Sequence, residues 1–139
     1  MIPARAQRAV RWVALFDLTV TAPLAVPALS DGWAALLLSG FMLGGEPAQW
    51  LPLPLTASVF CVLTGILGIL WNGCRALRPD ALLVRADMWG RVAVALALSY
   101  FIVLRQAPGS FGLFVVSELA GAWIERRALA AMRGGADWR

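Results

Sequence analysis

The sequence predicts an all-α integral membrane protein, a four-helix bundle with both chain ends on the cytoplasmic side. Three observations predict it. Of the 139 residues, 60% are hydrophobic and only 14% charged, against about 25% charged in a soluble domain. The apolar residues fall into blocks of about 20, the length that crosses a hydrocarbon layer about 30 Å thick. The basic residues are all arginine and gather at alternate ends of those blocks, the arrangement that keeps positive charge in the cytoplasm.

A single transmembrane domain over 1–139 follows, with spans at about 10–28, 55–74, 81–104 and 111–128. Arg5, Arg8 and Arg11 stand at the start of the first block, Val10 to Ala28. It is longer than a signal-peptide core and contains Asp17, so an uncleaved anchor is expected. Pro23 lacks a backbone donor and frees the carbonyl of Thr19, which predicts a kink. The next apolar segment, about 33–45, would reach only about 20 Å as a helix, too short to cross. It reads as a short periplasmic interfacial helix between the first and second spans. Its flanks carry Asp31 and Glu46 and no basic residue.

Proline and glycine punctuate the remaining blocks. Pro52 and Pro54 precede the second, Pro79 and Asp80 open the third, and Pro108-Gly109-Ser110 leads into the fourth, which Gly134-Gly135 follows. Arg75, Arg78 and Arg85 gather around the second connection and Arg126, Arg127, Arg133 and Arg139 after the last span, with only Arg105 opposite. The order is in–out–in–out–in, a multi-pass protein of the bacterial inner membrane. Trp12, Trp71, Trp89, Trp123 and Trp138 fall near cytoplasmic ends and Trp33 and Trp50 on the outer side, as an aromatic belt requires. The short connections at 76–80 and 105–109 predict that the helices they join are antiparallel neighbours.

Several function classes are disfavoured. No basic face with interleaved aromatics exists, so nucleic acid is not expected as a partner. Cys61 and Cys74 would lie about 20 Å apart on one helix, beyond disulfide reach. There is no histidine and no CxxC, so neither a metal site nor a thiol redox site is predicted. No nucleophile–base pair or phosphate-binding loop is present, and no catalytic residue is assigned.

What lipid should exclude is informative. Asp17 lies roughly 9 Å and Glu118 roughly 12 Å below the cytoplasmic boundary, at 1.5 Å per residue. A charge at such depth costs at least about 2.5–3.5 kcal/mol, so each should face the interior, pair or carry a proton. Asn72 and Arg91 enter from the cytoplasmic ends of the second and third spans, and Thr21 shares a face with Asp17. Asp17, Thr21, Asn72, Arg91 and Glu118 therefore form a candidate intramembrane binding cluster. The plainer alternative is that Asp87, four residues before Arg91, holds that arginine at the interface. Phe114, Glu118, Gly121, Ala122 and Glu125 make one stripe of the fourth span. Cys61, Thr64, Gly65, Gly68 and Asn72 make a similar stripe on the second. Gly65, Gly68, Gly121 and Ala122 are the expected packing positions, where small residues let backbones approach.

Thr64-Gly65-Ile66-Leu67-Gly68, the basic turn Arg78-Pro79, Gly90-Arg91 and Glu118 together resemble the small four-helix DoxX-like membrane proteins of bacteria. The resemblance covers about 54–127 and implies a four-helix bundle with an accessory role beside quinone-linked oxidoreductases. It transfers no catalytic residue. The first span and the outer segment 30–51 do not clearly fit it.

The function expected from all this is a non-catalytic accessory or structural subunit of a larger membrane complex, in contact with the lipid bilayer and with a larger membrane protein or further copies of itself. The alternative is a binding protein, enzyme or carrier for a quinone, isoprenoid or lipid that uses Asp17 and Glu118. No cofactor is predicted beyond a bound lipid or quinone.

Overall fold

A computed structural model describes residues 4–134. Gly135, Trp138 and Arg139, on which part of the topology reading rests, lie outside the described residues, as does the side chain of Arg133. The described residues form five α-helices, with short 3₁₀ turns between them and no strand: α1 (Ala4–Thr21), α2 (Pro27–Leu38), α3 (Leu55–Leu77), α4 (Ala81–Arg105) and α5 (Gly112–Gly134).

The first expected span is broken rather than kinked. α1 ends at Thr21, the chain makes a 3₁₀ turn over Ala22–Ala25, and α2 starts afresh at Pro27. Two prolines explain the break. Pro23 cannot continue the hydrogen-bond ladder of α1, and Pro27 sits in the first turn of α2, where a missing N–H costs nothing. Trp33 reaches back from α2 and donates its indole N–H to the carbonyl of Val20 at 2.7 Å, satisfying an acceptor at the end of α1. Trp33 thus serves the helix break, not simply an aromatic belt.

The segment expected to be helical over 33–45 differs in the same way. Its helix begins earlier, at Pro27, and stops at Leu38. Gly40, Phe41, Met42 and Gly45 then adopt positive φ, which no helix accommodates. At 12 residues α2 is about 18 Å long, shorter than a hydrocarbon core.

The other boundaries fall close to expectation. Asp80 caps α4 by accepting from the N–H groups of Leu82 and Leu83, both at 2.9 Å. Gln106 ends α4 in a left-handed conformation. α3 and α4 are each long and apolar enough to cross a membrane. α1, with Arg5, Arg8, Arg11 and Asp17, and α5, with Glu118, Glu125, Arg126 and Arg127, carry too many charges to meet that measure.

Packing runs most extensively between α4 and α5 and between α1 and α3, with α1 also against α5. α3 and α4, although joined by three residues, do not pack along their lengths. The short connection had predicted close neighbours; instead side chains bridge the gap between them. The tightest apolar cluster unites Ala6 and Val10 of α1, Val84 of α4, and Ala128, Leu129 and Ala131 of α5. Small residues there bring three helices together at the end where α1 and α4 begin and α5 finishes.

Gly65 and Gly68 of α3 face the chain's own break. A Cβ on Gly65 would stand 2.2 Å from the backbone nitrogen of Ala25, and one on Gly68 would stand 2.7 Å from the Thr21 Cβ. The bareness of this face lets the Ala22–Ala25 turn lie directly on α3.

Candidate functional site

The site grows from two arginines on facing helices. Arg75 lies one turn beyond Asn72 on α3, and its guanidinium donates to the Asn72 side-chain carbonyl at 2.7 Å. The same guanidinium pairs with Asp17 of α1 at 3.2 Å, with Asp87 of α4 at 2.9 Å, and with Glu125 of α5. Neither Arg75 nor Glu125 has any exposed side-chain surface.

Arg91 sits one turn after Asp87 on α4 and donates Nε–H to its carboxylate at 2.7 Å. One terminal nitrogen donates to Glu118 Oε2 at 3.0 Å, and the other donates to Asp17 Oδ2. Helical spacing makes this geometry. Glu118 and Glu125, seven residues apart, present both acids on one face of α5. Gly121 lies between them, and a Cβ there would stand 2.7 Å from the Arg91 guanidinium. Gly121 therefore admits an arginine head, where a close backbone neighbour had been expected. Trp71, one turn before Arg75, donates its indole N–H to Asp87 at 2.5 Å.

Four carboxyl groups (Asp17, Asp87, Glu118, Glu125) thus surround two guanidiniums, and α1, α3, α4 and α5 all contribute. Satisfaction is incomplete at the deepest point. Arg75 Nε and Glu125 Oε2 are buried without a hydrogen-bond partner among the described residues.

Beside the network lies a cavity of about 690 Å³. Asp17, Asn72, Asp87, Arg91 and Glu118 form its polar side. Phe16, Trp33, Phe41, Trp71 and Phe114 supply aromatic walls. Phe41 packs edge-on to Trp33 and also against Phe114, in each case with ring centres 6.5 Å apart. A large apolar chamber with convergent polar groups on one side is the usual form of a small-molecule site.

Of the sequence-derived cluster, Asp17, Arg91 and Glu118 meet directly. Asn72 joins through Arg75 rather than through Arg91. Thr21 lines the cavity, but its hydroxyl donates to the Asp17 main-chain carbonyl at 2.9 Å and not to the carboxylate. Asp87 does hold Arg91, as the plainer alternative proposed, and the same arginine also reaches Asp17 and Glu118. Gly65 and Gly68 pack as described above, and Ala122 is buried.

Sequence reasoning missed Arg75, Trp71 and the full part played by Glu125. Arg75 was assigned to the cytoplasmic connection and Trp71 to the aromatic belt. Spacing held the missing signal: Trp71, Asn72 and Arg75 share a helical face, and Glu125 repeats Glu118 after two turns. Comparison with protein-family models, with curated proteins and with solved structures yields no match to this chain.

Proposed function

We propose that this is a small inner-membrane protein in which α1, α3, α4 and α5 cross the bilayer, both ends lie in the cytoplasm, and the bundle holds an amphiphilic small molecule in its cavity. The single observation that carries the reading is the cavity itself, about 690 Å³ with aromatic walls and one charged side. The outer surface supports the membrane setting. Large apolar side chains stand exposed on every proposed span, among them Trp12 on α1, Leu67 on α3, Leu96 on α4 and Val116 on α5. Such a surface suits lipid rather than water. The charges that interrupt α1 and α5, Asp17, Glu118 and Glu125, turn inward and pair, as charges within a bilayer must.

The accessory-subunit reading rests on the lack of a catalytic constellation, the short loops and the small size. It packs a partner against the outer segment and the glycine-rich helix faces, among them the stripe of α3. That stripe is occupied by the chain's own Ala22–Ala25 turn, so a binding protein or carrier becomes the stronger proposal. Kinship with the DoxX-like proteins remains part of it.

Native mass spectrometry of the protein released from lipid nanodiscs tests the reading. The wild type should carry a bound small molecule. Ser117→Phe, which puts a ring in place of a hydroxymethyl group on the cavity wall, should lose it while remaining folded. A stoichiometric protein partner with no small-molecule adduct would restore the accessory-subunit reading instead.

A further inference from the structure

The charge balance of the cavity specifies a ligand class. We propose that the cavity takes a hydrophobic organic cation, an amphiphile with a protonated amine or quaternary ammonium head. The inference rests on the binding reading above and narrows it.

Four carboxyls meet only two guanidiniums in the network, an excess of two carboxyl groups. Uncompensated buried charge is costly, so the excess must be met by protons or by a cation. Neither arginine has a charge to spare for an anionic ligand. Arg91 already spends its Nε and both terminal nitrogens on three different acids, and Arg75 is fully buried behind them. The carboxylates are differently placed. The bonds to Asp17 from both arginines fall on Oδ2, and the bond to Glu118 falls on Oε2. Asp17 Oδ1 and Glu118 Oε1 are left to accept from a guest, and both residues line the cavity.

Two independent features favour a guest over protons alone. Five aromatic side chains line the half-open chamber, and aromatic faces attract cations. Asn72 also lines it. That residue is only 5% exposed, gives its carbonyl to Arg75, and has no partner for its amide N–H₂ among the described residues. An amide donor left open at a cavity wall can serve an acceptor on the occupant. An amine bearing a neighbouring hydroxyl, ether or carbonyl group satisfies both features.

Equilibrium binding of two probes of matched shape and opposite charge, tetraphenylphosphonium and tetraphenylborate, to the micelle-solubilised protein decides the matter. Binding to the Ser117→Phe variant is subtracted to remove partition into detergent. The phosphonium should bind in a Ser117-dependent manner, and the borate should not. Asp17→Asn and Glu118→Gln, which keep the acceptor oxygens but remove a charge, should each weaken phosphonium binding by at least about tenfold, as expected for a lost charge in a poorly screened site. Should either variant fail to fold, the comparison of the two probes on the unaltered protein still decides. Equal or preferential borate binding overturns the cation assignment while leaving the cavity reading intact. No Ser117-dependent binding of either probe overturns the cation assignment as well, leaving protons as the counter-charge.

Discussion

The excess of acid over base in the network predicts an asymmetry between two residues that touch each other. Arg75 and Glu125 are paired and equally buried, so a reading based on burial alone expects their loss to cost the same. The charge balance says otherwise. Arg75→Gln raises the excess of carboxyls from two to three and strips a partner from Asp17, Asp87 and Glu125 at once. Breaking a buried ion pair from this side costs about 3–5 kcal/mol, or roughly two to three and a half decades in the unfolding equilibrium constant at about 1.4 kcal/mol per decade. Glu125→Gln is nearly isosteric, leaves an acceptor for Arg75 and lowers the excess from two to one. It also removes the charge from Glu125 Oε2, which is buried without a hydrogen bond. Its effect should stay within about 1 kcal/mol of the wild type and can be stabilising, since replacing buried charge is often neutral or favourable. Denaturant titration in mixed micelles, followed by tryptophan emission and helical circular dichroism, measures both. Comparable losses for the two variants, or a larger loss for Glu125→Gln, would refute the reasoning.

Gly65→Ala should destabilise the protein by about 1–3 kcal/mol or prevent its folding, because the new Cβ meets the Ala25 and Leu24 backbone, which cannot rotate away. Gly73→Ala, on the same helix with nothing within 4 Å, should be neutral or stabilising by up to about 1 kcal/mol. Unfolding midpoints and detergent-extracted yield of the two variants read the contrast, and equal behaviour would argue against the close packing of the turn on α3. Asp80→Ala should cost about 1 kcal/mol through loss of the α4 cap. Asp80→Asn should retain most of that stability in the same titration, and a full loss in Asp80→Asn would show that charge matters there and capping does not.

Much of this architecture is legible in the sequence because helix termini obey local rules. Asp80 and the prolines at 52, 54 and 79 place the starts of α3 and α4 within a residue or so of where they stand. The break after Thr21 is less legible. Pro23 and Pro27 are compatible with a kink as well as with a break, and Trp33 and Gly65, distant residues, make the break favourable. The site divides in the same way. Asp17, Arg91 and Glu118 stand out because each interrupts an apolar block, where lipid would penalise a charge. Arg75 does not stand out, because an arginine at the end of a span is the commonest sign of a cytoplasmic boundary. Only the side chain's inward direction, set by packing between α1 and α5, distinguishes a boundary arginine from one that organises the interior.

The break in the first block is also what gives the cavity its form. Had α1 continued through Ala28 as one helix, Trp33 and Phe41 would have been carried away from the bundle along its axis. The turn at Ala22–Ala25 sends the chain back over α3, and α2 then returns Trp33 to the end of α1. Phe41 is placed at some expense. It and Met42 hold a left-handed backbone, φ 54° and 71°, that costs a residue with a side chain roughly 1–2 kcal/mol. Strain of this kind persists where the surroundings over-determine it. Here it sets the Phe41 ring between Trp33 and Phe114, along the aromatic wall that faces the acids. The bare face of Gly65, the two prolines and the strained turn after Leu38 therefore act toward one end. They hold an aromatic wall over a floor of paired carboxyl and guanidinium groups.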